Sequence, residues 1–479
     1  MVAQAEAVSK QPRQSAEYWR WVAAVGPALV LYWAPLPGLN AQQRHLLAIF
    51  TGTILAMMTQ PMPVGACAFS AITVLALTNT LPAGRVLSGF ANPVTWLIFS
   101  AFLFARAVIS TGLGLRTAYW ITQRFGGHPI TLGYSVAASN VVLAPFIPSD
   151  TARGGGVLYP ITRSLARCFD SEPGPTGGRM GAYLNLVGFH VNYVASATFL
   201  TSMAANPMIA SFARKIAKVD VTWGTWLLGS SLPALLSLLL VPVLLYWLQP
   251  PSIRDTGRAR RMAADKLAEM GPMSGREWIL VVILFAVMAG WVTSNLHWVS
   301  NALVAVSGVT ALLLCRIVTW DELLEQRGAW DALVWFAPIL MMSDALLETG
   351  VVGVLSGALF APIGAMAVVP AFLLLTGAYF YAHYGFASQT AHATALYPGF
   401  LTAAVGAGVP PMVASLALAF LSSLDAGITH YGTGSAPVYF GAGFVSQGTW
   451  WRVGFWVSVL NLLIWLGIGP LWWKLVGLW

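Results

Sequence analysis

A chain of 479 residues that is 57% hydrophobic, only 9% charged and holds 21 tryptophans carries far less charge than the roughly 25% of soluble domains, which excludes an ordinary soluble enzyme and points to a polytopic membrane protein. The net charge of +8 sits in short loops between apolar spans, where basic residues signal topology in a bilayer, so it does not mark a nucleic-acid partner. The long apolar runs do not alternate and must be helical, because in lipid only a helix or a closed barrel satisfies its own backbone.

Residues 1–18 are polar, carry Lys10 and Arg13, lead into an apolar run without a small-residue cleavage site, and read as a cytoplasmic N-terminal tail. A helix needs about 20 mostly apolar residues to cross the hydrocarbon. On that ruler spans fall near 19–36 (19–43 with its flank, outside the repeat described below), 44–61, 64–82 and 92–120, the last interrupted at Thr111-Gly112-Leu113-Gly114. Between 126 and 165 two short apolar arms flank Pro148. Neither arm is comfortably long enough to cross, which predicts a re-entrant helical hairpin, tolerable at membrane depth only where it is buried in protein or lines a wet cavity. Residues 180–213 form a helix broken at Thr201-Ser202-Met203-Ala204-Ala205-Asn206-Pro207, and 223–248 is a further span. The hydrophilic stretch 249–276, with Arg254, Arg258, Arg260, Arg261 and Lys266, is a linker on the same cytoplasmic side as the tail.

The second half replays the first. Spans fall near 277–295, 299–318 and 330–360, a hairpin at 366–405, a broken span at 411–445 interrupted between Thr429 and Pro437, and a last span at 451–475. Pro148-Ser149-Asp150-Thr151-Ala152-Arg153-Gly154-Gly155-Gly156 is echoed by Ser388-Gln389-Thr390-Ala391-His392-Ala393-Thr394, with Ser149 and Ser388 239 positions apart. Each run closes with a Tyr-Pro pair, Tyr159-Pro160 and Tyr397-Pro398. Trp96 and Trp335 share the offset, and Thr111-Gly112 nearly matches Thr349-Gly350. The chain is therefore expected to hold two repeats, 44–248 and 277–479. Each has an odd number of crossings, so the two are inverted, which is transporter architecture.

Polar runs in apolar sequence are costly unless they serve a purpose. Helix N-termini at two hairpin tips present unpaired N–H groups to an anion, while interrupted helix ends present carbonyl oxygens to a cation. Ser149, Thr151, Ser388 and Thr390 add hydroxyl donors and Gln389 an amide. Taken singly, such hydroxyls more often bond to a neighbouring backbone; the inverted pairing is what favours a site. Arg153 reads equally as a carboxylate clamp or a structural ion pair. His392 reads as a substrate contact, a proton carrier or a satisfied buried imidazole. Asp344 and Glu348 lie four apart on one helix face, with Glu348 near an aqueous end; Asp425 lies in an apolar run without an assignable partner. Tryptophans such as Trp291, Trp298, Trp472 and Trp473 read as interfacial anchors. Cys67, Cys168 and Cys315 lack metal or disulfide spacing and read as packing residues. No HExxH, GxSxG, Walker A or dinucleotide fingerprint is present in a suitable context, so an enzyme or an ATP-driven pump is not indicated.

At PSDTARGGG (148–156) and SQTAHATALYP (388–398) the chain resembles the divalent anion/sodium symporter (DASS) family, and more closely its citrate/succinate and tartrate/succinate antiporter and plastid 2-oxoglutarate/malate translocator branch, over residues 20–479. The resemblance implies an all-α fold of about 11 transmembrane helices plus two re-entrant hairpins, built as an elevator-type homodimer in a bacterial inner membrane. It implies substrate contacts from Ser149, Asp150, Thr151, Arg153, Ser388, Gln389, Thr390, His392 and Thr433. It implies cation sites framed by Pro145, Ser149, Asp150, Ser202, Ala204, Asn206, Tyr384, Ala387, Gln389, Thr433, Ser435 and Pro437, with Na⁺ as the coupling ion and no other cofactor. Two positions depart from the pattern. Gln389 keeps the amide of the family's Asn. Asp150 places a carboxylate where the branch has Asn, which repels a dianion unless sodium, a proton or Arg153 neutralises it. The expected function is exchange of one di- or tricarboxylate for another, with sodium- or proton-coupled symport as the alternative. An intramembrane enzyme and a channel are the remoter readings.

Overall fold

The computed structural model describes residues 14–294 and 296–479, and among these there are helices and no strand. The expected N-terminal tail lies mostly outside the described residues. Seven described helices are long and apolar enough to cross a membrane: Pro93–Ser110, Pro129–Phe146, Trp223–Leu248, Gly275–Val292, Arg327–Glu348, Pro411–Ile428 and Gln447–Leu475. Shorter apolar helices cover Val64–Leu77, Asn301–Leu314 and Val351–Phe360. The chain divides into two compact units. One runs to Gly89 and includes Val334–Val351; the other is Phe90–Leu333 with Val352–Trp479.

In the first unit, Gln14–Trp33 packs against Ala41–Thr59. The latter starts at Asn40, whose side chain and that of Gln43 cap each other's backbone. Arg85 and Glu348 are paired at 2.5 Å with both side chains partly exposed, so Glu348 does sit at an accessible end, paired with a base.

The second unit holds both polar tips and both helix breaks that the sequence marked. Its centre is Gly181–Thr198, in which every residue is buried, and Pro411–Ile428, 89% buried. A helix buried on every face, polar residues included, can lie only inside a protein, where those residues must find partners. The starts and stops follow local chemistry. Asn92 caps a helix with Pro93 in its first turn, and Gly112 ends that helix with φ +79°, a conformation that only glycine adopts without penalty. Gly350 ends the corresponding helix with φ +79° as well. In both, the preceding threonine hydroxyl donates to the carbonyl four residues back, Thr111 to Ala107 at 2.8 Å and Thr349 to Ala345 at 2.7 Å.

Three expectations change. The first hairpin arm, Pro129–Leu143 continued by the 3₁₀ turn Ala144–Phe146, is 18 residues long and apolar enough to cross, because Pro145 tightens the arm's last turn instead of ending it early. The segment 249–276 is not simply an extended linker. Gly257–Met270 is a helix, rich in strong helix formers, and Arg260 Nε donates to the Gln123 carbonyl at 3.1 Å. Trp291 and Trp473 are fully buried, with their indole N–H groups on the carbonyls of Asn301 and Gly229 at 3.1 and 2.8 Å; of the four tryptophans read as anchors, Trp298 is the strongly exposed one.

Candidate functional site at two hairpin tips and two helix breaks

The two tips fold alike. Ile147 and Ser388 are extended, and a helix starts immediately after each tip. Ser149 Oγ accepts from the Ala152 N–H at 3.1 Å, and Ser388 Oγ accepts from the Ala391 N–H at 3.3 Å. The Arg153 N–H reaches the Ser149 carbonyl at 2.9 Å and the His392 N–H reaches the Ser388 carbonyl at 3.0 Å. These pairs keep the 239-residue offset. Each serine is thus an N-cap, and the peptide N–H groups just after it point out of the helix end. Ser149, Ser388 and Thr390 are half-buried and Thr151 is exposed, while Asp150 and Gln389 are buried.

The return arms then differ. Thr151–Leu158 is a π-helix leading into Tyr159–Cys168, whereas Gln389–Gly406 is a regular α-helix. Tyr159 comes ten positions after Ser149, but Tyr397 only nine after Ser388. The extra residue widens one turn, as π-bulges do.

Arg153, expected as a clamp or an ion pair, is neither here. It is fully buried, and all its N–H groups are committed. Nε faces the side-chain oxygens of Asn140 and Asn192, both at 3.1 Å; Nη1 donates to the carbonyls of Ile147 at 2.8 Å and Ser202 at 2.9 Å; Nη2 donates to the Asn192 carbonyl at 3.0 Å and Ser196 Oγ at 2.6 Å. With five donors in a fixed fork it staples the tip to the central helix and to the first break. Every acceptor is uncharged, so the positive charge itself is not cancelled by a carboxylate contact.

That break follows Thr198 and resumes at Ala205. Its freed carbonyls are taken up by side chains. Asn206 Nδ2 reaches the Ser196 and Phe199 carbonyls at 2.9 and 3.0 Å, Trp226 Nε1 the Ala197 carbonyl at 2.9 Å, and Ser230 Oγ the Thr198 carbonyl at 2.7 Å. Thr201 Oγ1 donates to the Pro145 carbonyl at 2.9 Å. The second break runs from Asp425 to Ser435. Here Thr433 Oγ1 and Ser435 Oγ, the latter at 3.1 Å, donate to Asp150 Oδ2. Asn192 Nδ2 holds the Asp150 carbonyl at 2.9 Å. Gln389 Nε2 donates to the Ser423 carbonyl at 2.8 Å, and Ser423 Oγ lies 3.6 Å from Met203 Sδ. The first tip is therefore bonded to the second break, and the segment held by the second tip touches the first break. Among the buried oxygens left without a hydrogen bond here are Asn206 Oδ1 and Gln389 Oε1, besides Thr429 Oγ1 and the Asp425 carboxylate of the second break. Both amide nitrogens sit on carbonyls, which fixes the orientation of each amide.

Of the other cation candidates, Pro145 and Ala204 are buried, and Tyr384, Ala387 and Pro437 are exposed. The Tyr384 carbonyl accepts from the Tyr431 hydroxyl at 3.0 Å. Sequence reasoning did not single out Asn140, Asn192, Ser196, Trp226 or Ser230. Asn192, one of several polar residues with Asn185, His190 and Ser196 in a wholly buried helix, was a legible signal. Asp425, without an assignable partner in the sequence, lies 2.9 Å from His392 Nδ1 and 3.5 Å from His383 Nδ1, all three side chains fully buried.

Comparison with known proteins agrees with this architecture. A family model described as the sodium:sulfate symporter transmembrane region matches residues 15–479. The chain is 43% identical to the "Putative malate transporter YflS" of Bacillus subtilis over 95% of its own length and 96% of that protein's. It is 40% identical to chloroplastic dicarboxylate transporter 1 of Arabidopsis thaliana (98% of this chain, 85% of that one) and 30% identical to the L-tartrate/succinate antiporter of Shigella sonnei (97% and 99%). In fold it is similar to the crystal structure of the YdaH transporter of Alcanivorax borkumensis, with a TM-score of 0.53 at 14% identity over 96% of this chain and 97% of that one. With a match that spans nearly its whole length, the chain belongs to the sodium:sulfate symporter family of membrane transporters, the DASS family.

Proposed function

We propose that this protein is a secondary transporter of di- and tricarboxylates that exchanges one carboxylate for another across a bacterial inner membrane. The observation that carries the proposal is the pair of serine-capped helix starts, the first braced by Thr433 and Ser435 from the other half of the chain and the second tied through Gln389 to the Ser423 carbonyl just before the second break. Two N-terminal helix ends and their hydroxyls can bind the two carboxylates of a succinate- or malate-like dianion. Arg153 acts at one remove, stapling the first tip while its uncancelled charge makes the potential there more positive. The names of the relatives, a "Putative malate transporter", dicarboxylate transporters and a tartrate/succinate antiporter, support the substrate class, and the last of them alone supports the exchange mode.

The site also suits a hard cation. Asn206 Oδ1 and Gln389 Oε1 are buried oxygens free to coordinate, and Na⁺ held by them would offset the Asp150 carboxylate beside an anionic substrate. The family's sodium coupling thus remains a second reading, sodium-coupled symport. In both readings the two repeats are inverted, the tail and the 249–276 segment face the cytoplasm, and the hairpins and broken helices move as one body within a homodimer. Counterflow in proteoliposomes separates the readings. Labelled succinate should enter only vesicles loaded with unlabelled dicarboxylate. Uptake into empty vesicles driven by a sodium gradient would replace exchange with symport, and no uptake of any carboxylate under either condition would end the proposal.

A further inference from the structure

One cluster adjoins the site above, with Asp425 opening the second break and His392 in the helix that starts at the second tip. His383, Asp425 and His392 are fully buried where the second hairpin meets the second break. His383 Nε2 lies 2.7 Å from the Gly432 carbonyl and His392 Nε2 lies 3.0 Å from the Tyr379 carbonyl. A carbonyl only accepts, so both Nε2 atoms carry hydrogen. In neutral rings the two Nδ1 atoms are then lone pairs, and both face Asp425 Oδ2, at 2.9 and 3.5 Å. Two lone pairs do not hold a carboxylate oxygen at 2.9 Å without a hydrogen between them. One further proton belongs to the cluster, on His392 Nδ1 or on Asp425 Oδ2. Adding it brings two neutral imidazoles and a carboxylate to zero net charge, which burial favours. Neither Asp425 oxygen and neither Nδ1 has a hydrogen-bond partner elsewhere, so the place for that proton is the histidine–aspartate contact itself.

We propose that His383, Asp425 and His392 form a binding site for one proton, and that its occupancy is coupled to carboxylate binding at the neighbouring tips. Binding takes one H⁺ from water and release returns it, with no other bond changed. The coupling has a short path. The Gly432 carbonyl held by His383 belongs to the residue before Thr433, which donates to Asp150. His392 lies in the first turn of the helix capped by Ser388, and Gln389 of that turn holds the carbonyl of Ser423, two residues before Asp425. Charge in the cluster therefore pulls on both halves of the anion site, and a bound proton favours an anion there. Other titratable groups near Asp425 do not compete for this role. The Tyr379 hydroxyl pairs with Ser422 Oγ at 2.6 Å; Tyr397 donates to the Ser415 carbonyl at 3.0 Å; Tyr193, against Gly427, pairs with His190 Nδ1 at 2.6 Å. Tyr384 and Arg452 are exposed, and His430 takes the Trp451 indole N–H at 3.1 Å.

The inference rests on the transport reading for its coupling but not for the proton itself, and the test keeps the two apart. Infrared difference spectra of the purified full-length protein between low and high pH should contain a protonated-carboxyl or imidazolium band that disappears in Asp425→Asn; this needs no substrate. Calorimetry of succinate binding in buffers of different ionisation enthalpy should count up to about half a proton taken up at the pH where the free site is half-filled, rising toward one at higher pH while the bound site stays filled, and none in Asp425→Asn. Between about pH 7 and 9, where succinate stays a dianion, the apparent KM of the wild type should rise up to tenfold per pH unit, a slope that Asp425→Asn loses whatever its absolute rate. If that variant fails to fold, His392→Gln, whose amide N–H can meet Asp425 without an added proton, should lose the same slope. Identical spectra and proton counts in wild type and variants overturn the proposal. So does a stoichiometric metal, found by elemental analysis of the wild type and lost with Asp425. A wild type that shows the infrared band but binds no carboxylate keeps the proton site, and overturns the coupling together with the transport reading.

Discussion

At the scale of single residues, the serines and Asp150 carry the sharpest expectations. Ser149→Ala or Ser388→Ala removes an N-cap and should cost about 1 kcal/mol of stability, read as a lower melting temperature. The same change removes a hydroxyl from the proposed anion site, so the KM for succinate should rise about tenfold or more, and Ser→Thr should recover most of it. An unchanged KM in both alanine variants would take the tips out of the binding site. Asp150 is bonded to Thr433 and Ser435 and not to Arg153, so the neutralisation by arginine that the sequence allowed is not direct. Its negative charge must then be offset by a bound cation or by the more distant arginine. Asp150→Asn should make transport less dependent on sodium and tighten dianion binding about tenfold, the effect of removing one like charge roughly 5 Å away in a half-wet site. If neither quantity moves, Asp150 does not face the anion. The sequence pointed to Arg153 as important, because a lone arginine in an apolar run must be accounted for. It did not give the role, because the partners Asn140, Asn192 and Ser196 lie far away in sequence and converge only in space.

At the scale of elements, the first return arm shows what one extra residue does. The glycines after Arg153 invite a reading as a flexible loop, yet they form a wide helical turn packed against the central helix. A Cβ added at Gly154 would meet Asn192 Nδ2 at 2.5 Å and its Cγ at 2.8 Å, whereas one added at Gly156 meets nothing within 4 Å. Gly154→Ala should therefore displace the asparagine that links Arg153 to Asp150, lowering stability by roughly 1–3 kcal/mol and transport with it. Gly156→Ala should be neutral or stabilising by up to about 1 kcal/mol. Melting curves and succinate exchange for the pair check this; equal effects would mean that the turn does not pack as described. The shift from ten residues in one repeat to nine in the other was a legible sign of the bulge, since a turn that takes an extra residue without a loop must widen. The helix breaks were legible as well, from Pro207 and from the glycines around Thr433. What satisfies their freed carbonyls was not, because Trp226 and Ser230 read in sequence as ordinary members of an apolar span.

At the scale of the whole molecule, alternating access predicts a change in which side of the membrane reaches the tips. With Cys67, Cys168 and Cys315 replaced and one cysteine placed at exposed Ala387, an impermeant maleimide should label the protein from one side in substrate-free vesicles, and saturating succinate should change that labelling at least severalfold. Labelling from a single side that succinate leaves untouched would contradict a moving site. The sequence by itself determined the helical membrane class and the polar runs that interrupt its spans, because apolar length and glycine and proline punctuation are local properties that a bilayer turns into strict rules. Only the tertiary structure decided that Arg153 is a staple, that Asp150 is held by the opposite half and that Asp425 shares its burial with two histidines. Those outcomes depend on which distant segments meet, and a buried polar group takes its role from the partners that desolvation obliges it to find.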